Sequence, residues 1–235
     1  MVNKFSKLEA KLKIKFKNKN LLIQSFIHRS YLNENPPSVS GLLNHNERLE
    51  FLGDAVLELA TTEYLYKKYP EKTEGEMTSL RAALVNAQML AEISKELKLE
   101  DFLLLSKGEA KDTGKARQII LANTFEALVG AIYLDQGYKA VFSFLEKNVS
   151  PKLKEIISKK LWVDAKSLFQ EKAQEIMGIT PNYKVLKESG PDHAKNFVIG
   201  VFLDSEMAAQ GEGFSKQEAE QNAARHALKT KRWLT

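Results

Sequence analysis

The sequence contains no cysteine, and that absence removes several chemistries at once. No disulfide can brace the fold, no thiolate can serve as a nucleophile, and no cysteine-bearing zinc site can form. A reducing intracellular compartment, the cytoplasm by default, is the expected location. Histidine is scarce: His28, His45, His193 and His226 are the only four, and their spacing suggests no shared metal. Long apolar runs are also missing. Near the N-terminus Phe5, Leu8, Leu12 and Ile14 are separated by charges, so neither a signal-peptide core nor a membrane-spanning segment is expected. The chain has no Gly-x-Ser-x-Gly elbow and no His-Glu-x-x-His. Its nearest approach to a phosphate-binding P-loop, Gly108 to Lys115, places the glycines six apart, follows Lys115 with Ala116 and has no buried strand before it. That stretch reads as a flexible basic loop, and no nucleotide cofactor is expected.

What the chain does have is enough apolar material for a packed core. Its 235 residues are 43% hydrophobic, which suits one large domain or two modest ones. The formal charge of +5 and a pI near 9.1 fit a polyanionic partner without requiring one.

The most informative stretch is Asn46-Glu-Arg-Leu-Glu-Phe-Leu-Gly-Asp-Ala-Val-Leu57. At about 100° per residue, Glu47, Glu50 and Asp54 share a narrow arc of a helix, with Leu49, Leu52 and Val56 roughly opposite. Charges at helical spacing commonly form a solvated face, but such faces mix signs, whereas these three carboxylates repel one another. Spacing alone leaves a solvated face and a metal platform both open. A second polar pair, Asn123 and Glu126, lies three apart in the apolar segment Leu121 to Asp135. Buried polar groups need partners, and oxygen ligands facing another oxygen cluster suit a hard cation such as magnesium.

Periodicity and breakers divide the chain in two. Residues 4 to 145 read as successive helices: Leu21 to Ile27, the acidic stretch, Thr61 to Tyr69, Met77 to Lys98, Ala116 to Leu134, and Val141 to Ile157. A lysine-rich run from Lys152 to Lys160 suggests a short linker. After it come a helix from about Asp164 to Met177, short strands at Tyr183 to Leu186, Phe197 to Phe202 and Glu206 to Gln210, and a last helix opening with Ser215 and Glu218 at capping-box spacing. The expected fold is therefore an all-α domain over 1–157 followed by a small α+β (α-β-β-β-α) domain over 162–231.

With these residues in place, Asn46 to Leu57 resembles the signature of the ribonuclease III family, 121 to 135 resembles its second acidic helix, and 162 to 231 resembles a double-stranded-RNA-binding domain. The resemblance spans nearly the whole chain in the family's order. It implies a metal-dependent endoribonuclease that cuts duplex RNA, leaving 5′-phosphates and short 3′ overhangs, and that processes ribosomal-RNA precursors and structured messages. Mg2+ would be the cofactor, with Mn2+ as a substitute. Glu50, Asp54 and Glu126 resemble the family's metal-binding and catalytic carboxylates, Asp54 and Glu126 being the least dispensable, and Glu47 resembles a secondary acid. The family carries aspartate where this chain has Asn123, an oxygen ligand with one negative charge fewer. Phe51 resembles the aromatic through which subunits of a homodimer engage.

In the second domain Gln170, Glu171 and Gln174 resemble minor-groove contacts, His193 a second such contact, and Ser215 and Lys216 a phosphate contact at a helix N-terminus. Ile27 to Glu34 and Leu80 to Asn86 also match family segments, for which structural packing is the plainer reading. A different class remains open: a non-cleaving duplex-RNA-binding protein whose metal site is weakened by Asn123.

Overall fold

A computed structural model describes residues 2–36, 44–159, 162, 164–190 and 195–233. The chain forms two compact units, Met1–Trp162 and Val163–Thr235. Among the described residues no helix is long and apolar enough to cross a membrane.

The first unit is helical: α1 (Val2–Leu12), α2 (Lys19–Ser25), α3 (Arg29–Glu34), α4 (Glu47–Lys68), α5 (Glu74–Val85), α6 (Ala87–Glu96), α7 (Lys115–Gln136), α8 (Tyr138–Asn148) and α9 (Lys152–Ser158). Its centre is the pair α4 and α7. The acidic stretch and Thr61 to Tyr69, expected as separate helices, form one continuous α4. Nothing between them breaks a helix, its first turn holds Glu47 and Glu50, and its last holds Lys67 and Lys68, which suits the helix dipole at both ends. It stops at Tyr69, whose following proline disfavours α geometry. Helix α7 buries Ile120, Leu121, Phe125, Leu128, Val129 and Ile132. Each such side chain contributes about 1.5–3 kcal/mol relative to exposure.

The expected helix Met77 to Lys98 is two helices. Asn86 leaves helical geometry with ψ 159°, ends α5 and caps α6 by accepting from Met89 N. Val141 to Ile157 likewise divides into α8 and α9 around Ser150-Pro151, where proline brings no N–H to continue the ladder.

The second unit comprises α10 (Ala165–Met177), β1 (Asn182–Ser189), β2 (Asn196–Leu203), β3 (Glu206–Gly213) and α11 (Lys216–Thr230). The strands form an antiparallel sheet in the order β1-β2-β3 and run longer than their apolar cores suggested. Asp164 caps α10 by accepting from Lys166 N and Ser167 N, and Gly178 closes that helix at φ 68°. The core joins Phe169 and Ala173 of α10, Val201 and Leu203 of β2, and Ala223, Ala224, Ala227 and Leu228 of α11.

Candidate functional site

The two acidic helices approach as closely as backbones allow. A Cβ built on Gly53 of α4 would stand 1.8 Å from the Glu126 carbonyl oxygen, and one on Gly130 of α7 would stand 2.2 Å from the Leu49 carbonyl oxygen. Only two glycines permit this crossing, and it sets Glu50 and Asp54 beside Asn123 and Glu126. A glycine inside a helix costs about 1 kcal/mol against alanine, which is the signal that such a residue serves packing.

The electrostatics follow from that crowding. Burial, then repulsion from Asp54 and Glu50, pushes the Glu126 carboxyl up to about 7. Burial, then the charges of Glu47 and Asp54, raises Glu50, while a hydrogen bond with Asn123 pulls it back down. Glu50, Asn123 and Glu126 are half-buried and Asp54 is exposed, so the cluster opens to solvent. Among the described residues no three Asp, Glu or His side chains converge closely enough to chelate an ion by themselves. The donor set is nonetheless all oxygen, and a hard divalent cation would offset the burial and the carboxylate charges that together raise Glu126.

Glu47 acts on Glu50 and has basic neighbours of its own. Its oxygens lie 3.9 Å from Arg29 Nη1 and 3.7 Å from His45 Nδ1, so it faces basic groups at the start of α4.

The segment before α3 fastens this arrangement. Buried Asn46 donates its backbone N–H to the Ile27 carbonyl at 2.9 Å and its side-chain amide to the Ser25 carbonyl at 3.3 Å. Leu104 N donates to the Phe26 carbonyl at 2.9 Å, and His28 N to that of Leu104 at 3.1 Å. His28 Nδ1 caps α3 by accepting from Ser30 N, a role only an unprotonated nitrogen can fill, and burial holds this imidazole below its ordinary pKa. Ile27 to Glu34 therefore packs and positions.

The same segment holds the chain just before Gly108 to Lys115, the stretch expected as a flexible loop, and Arg117 bonds the stretch itself, which contains a 3-10 turn over Glu109–Lys111. Glu34 accepts from Lys107 N, Ser30 Oγ accepts from Ser106 N, and Arg117 donates to the carbonyls of Glu109, Ala110 and Asp112, each at 3.0 Å. The spacing of these isolated charges and serines does not announce this role. Phe51 projects from α4 with 83% of its surface exposed.

In the second unit Gln170, Glu171 and Gln174 are exposed on α10, and Gln174 Nε2 donates to Thr180 Oγ1 at 2.7 Å. His193 lies outside the described residues. Ser215 caps α11, its hydroxyl accepting from Glu218 N at 3.2 Å. The Glu218 carboxylate reaches one residue further back than a capping box requires, to Phe214 N at 2.8 Å. Lys216 Nζ stands 5.8 Å from the centre of the Phe197 ring, an exposed cation beside a helix N-terminus.

Comparison with known proteins agrees with both units. Residues 18–153 match the family described as Ribonuclease-III-like, and residues 165–231 match the double-stranded RNA binding motif. Ribonuclease 3 of Geobacillus kaustophilus is 46% identical over 229 residues, 97% of this chain and 92% of that protein. Ribonuclease 3 of Halalkalibacterium halodurans is 45% identical over 226 residues, 96% and 84% of the respective chains. Among solved structures, the ribonuclease III nuclease domain of Campylobacter jejuni superposes with a TM-score of 0.55 at 41% identity, covering 62% of this chain and 95% of that one.

Proposed function

The chain belongs to the ribonuclease III family, and we propose that it is an endoribonuclease whose Glu50, Asp54, Asn123 and Glu126 hold divalent metal for hydrolysis of double-stranded RNA. The observation that supports this reading is the crossing at Gly53 and Gly130, where Glu50 hydrogen-bonds Asn123 and the charges of Glu50 and Asp54 act on half-buried Glu126. Magnesium is the expected ion, with manganese as a substitute; bound there, it would lower the pKa of a water nucleophile and offset charge building on the phosphate.

The chain's own groups divide the remaining work. Asp54, exposed at the mouth of the cluster, and Glu126, half-buried beneath it, are the least dispensable carboxylates. Asn123 supplies an oxygen without a charge and steadies Glu50 by its hydrogen bond. Glu47 acts from outside the ligand set, since Arg29 and His45 already face it. Gln170, Glu171 and Gln174 meet the minor groove of the duplex, where 2′-hydroxyls are accessible, and Ser215 and Lys216 meet its phosphates. His193 is proposed as a further minor-groove contact.

Two such sites across a two-fold axis would cut both strands, and exposed Phe51 supports a homodimer. The Campylobacter protein is described as having a region involved in dimer formation. We place the boundary between the nuclease domain (1–157) and the RNA-binding domain (162–231) near residue 160. Precursors of ribosomal RNA and structured messages in the cytoplasm are the proposed substrates. Glu126→Ala, expected to abolish cleavage in magnesium while duplex binding persists, tests the assignment; wild-type cleavage by that variant would overturn it.

A further inference from the structure

We propose that Asn222 and His226 form a latch that closes the outer edge of β3 against strand pairing with a second copy of this chain. The sheet order leaves β3 at an edge. In an antiparallel pair, alternate residues send their N–H and C=O groups away from the partner strand, as a template for another strand. Gln210 and Glu212 are such residues, and neither carbonyl is free. The Gln210 carbonyl is 2.8 Å from His226 Nδ1, and the Glu212 carbonyl accepts from Asn222 Nδ2 at 2.8 Å.

The geometry suits a latch. Residues four apart on a helix rise about 6 Å, and residues two apart on a strand are separated by about 6.6 Å, so one face of α11 addresses two successive outward carbonyls. The helix comes near enough because the intervening positions are glycines. A Cβ on Gly211 would lie 2.1 Å from Ala223 N, and one on Gly213 would lie 2.6 Å from Ala219 N. Arg225 Nη1 donates to Asn222 Oδ1 at 2.8 Å, which turns the amide so that its NH2 faces the strand. A carbonyl can only accept, so His226 Nδ1 carries a proton whether the ring is neutral or charged, and the latch holds in both forms.

The rest of the sheet boundary is spoiled by other means. The β2–β3 register shifts between Val201 and Phe202, and the β1–β2 register shifts between Val185 and Lys187, with Lys184 and Lys187 on the β1 edge. Gln210 to Glu212 is thus the regular stretch of edge most in need of cover. On the homodimer reading above, an open β3 edge would give each chain a second self-complementary interface, and two such interfaces generate open polymers.

The test is sedimentation velocity of the full chain, without RNA, across a wide concentration range. Wild type should keep a constant mass. The Asn222→Ala/His226→Ala double variant should climb in weight-average mass with concentration, past twice the wild-type value. His226→Lys, which keeps a donor for the Gln210 carbonyl, should stay at the wild-type mass. If the double variant loses its near-ultraviolet circular dichroism, Asn222→Ala alone carries the test, with weaker association expected. A folded variant with the wild-type mass at every concentration would overturn the latch. If wild type is itself monomeric, the homodimer reading fails, and the latch then requires closed dimers of the double variant.

Discussion

Gly53 and Gly130 face each other where the two acidic helices cross, and neither position has room for a single methyl group. The site's geometry rests on this contact, because it sets how near Glu50 and Asp54 come to Glu126. A Cβ at Gly53 would overlap the Glu126 carbonyl, so the helices would have to part. Gly53→Ala is expected to destabilise the chain by about 3 kcal/mol or more, as overpacking against rigid backbone does. Urea unfolding would show this as a lower midpoint at an unchanged slope.

Metal-free stability should depend on pH through Glu126. Its carboxyl titrates near 7 in the folded chain and near the ordinary 4.5 when unfolded, so between those values the folded state binds more protons. Stability is therefore greatest below about pH 4.5 for this group and falls as pH rises to about 7. With partial solvent screening allowed for, the loss should be on the order of 1–2 kcal/mol. In Glu126→Gln that component of the decline should vanish, as read by thermal unfolding in chelator across this window. An unchanged profile would show that burial and the neighbouring carboxylates do not raise Glu126.

Lys216 should act through phosphate. Its replacement by alanine is expected to weaken duplex-RNA binding and to lower the slope of log affinity against log salt by about 0.7–0.9. Fluorescence anisotropy at several salt concentrations measures both, and an unchanged slope would argue against a phosphate contact.

The sequence made the division into a helical and an α+β half legible, because its periodicity changes from 3.6 to 2 near residue 180. The shared face of Glu47, Glu50 and Asp54 was legible too, since their spacing puts them on one arc of a helix, although spacing alone left a solvated face and a metal platform both open. Less visible was what holds them in place. Asn86 and Pro151 interrupt helices that apolar periodicity runs through, because a side-chain cap at Asn86 and a missing N–H at Pro151 each act at one position and leave the apolar pattern intact. Asn46 and Glu34 act on backbone groups far away in sequence. Such partners are set by tertiary packing, so local spacing does not reveal them.

The proposed function has this chain cleave duplex RNA with Asn123 in its metal shell. Its most direct test is cleavage of a long RNA duplex across magnesium and manganese concentrations, comparing the chain with Asn123→Asp. The expected result is 5′-phosphate-ended products from both proteins, with the aspartate form reaching half-maximal rate at lower metal because its site carries one more negative charge. Silence of the unaltered chain at every metal concentration, with activity only in the aspartate form, would contradict the claim and make the protein a duplex-RNA binder.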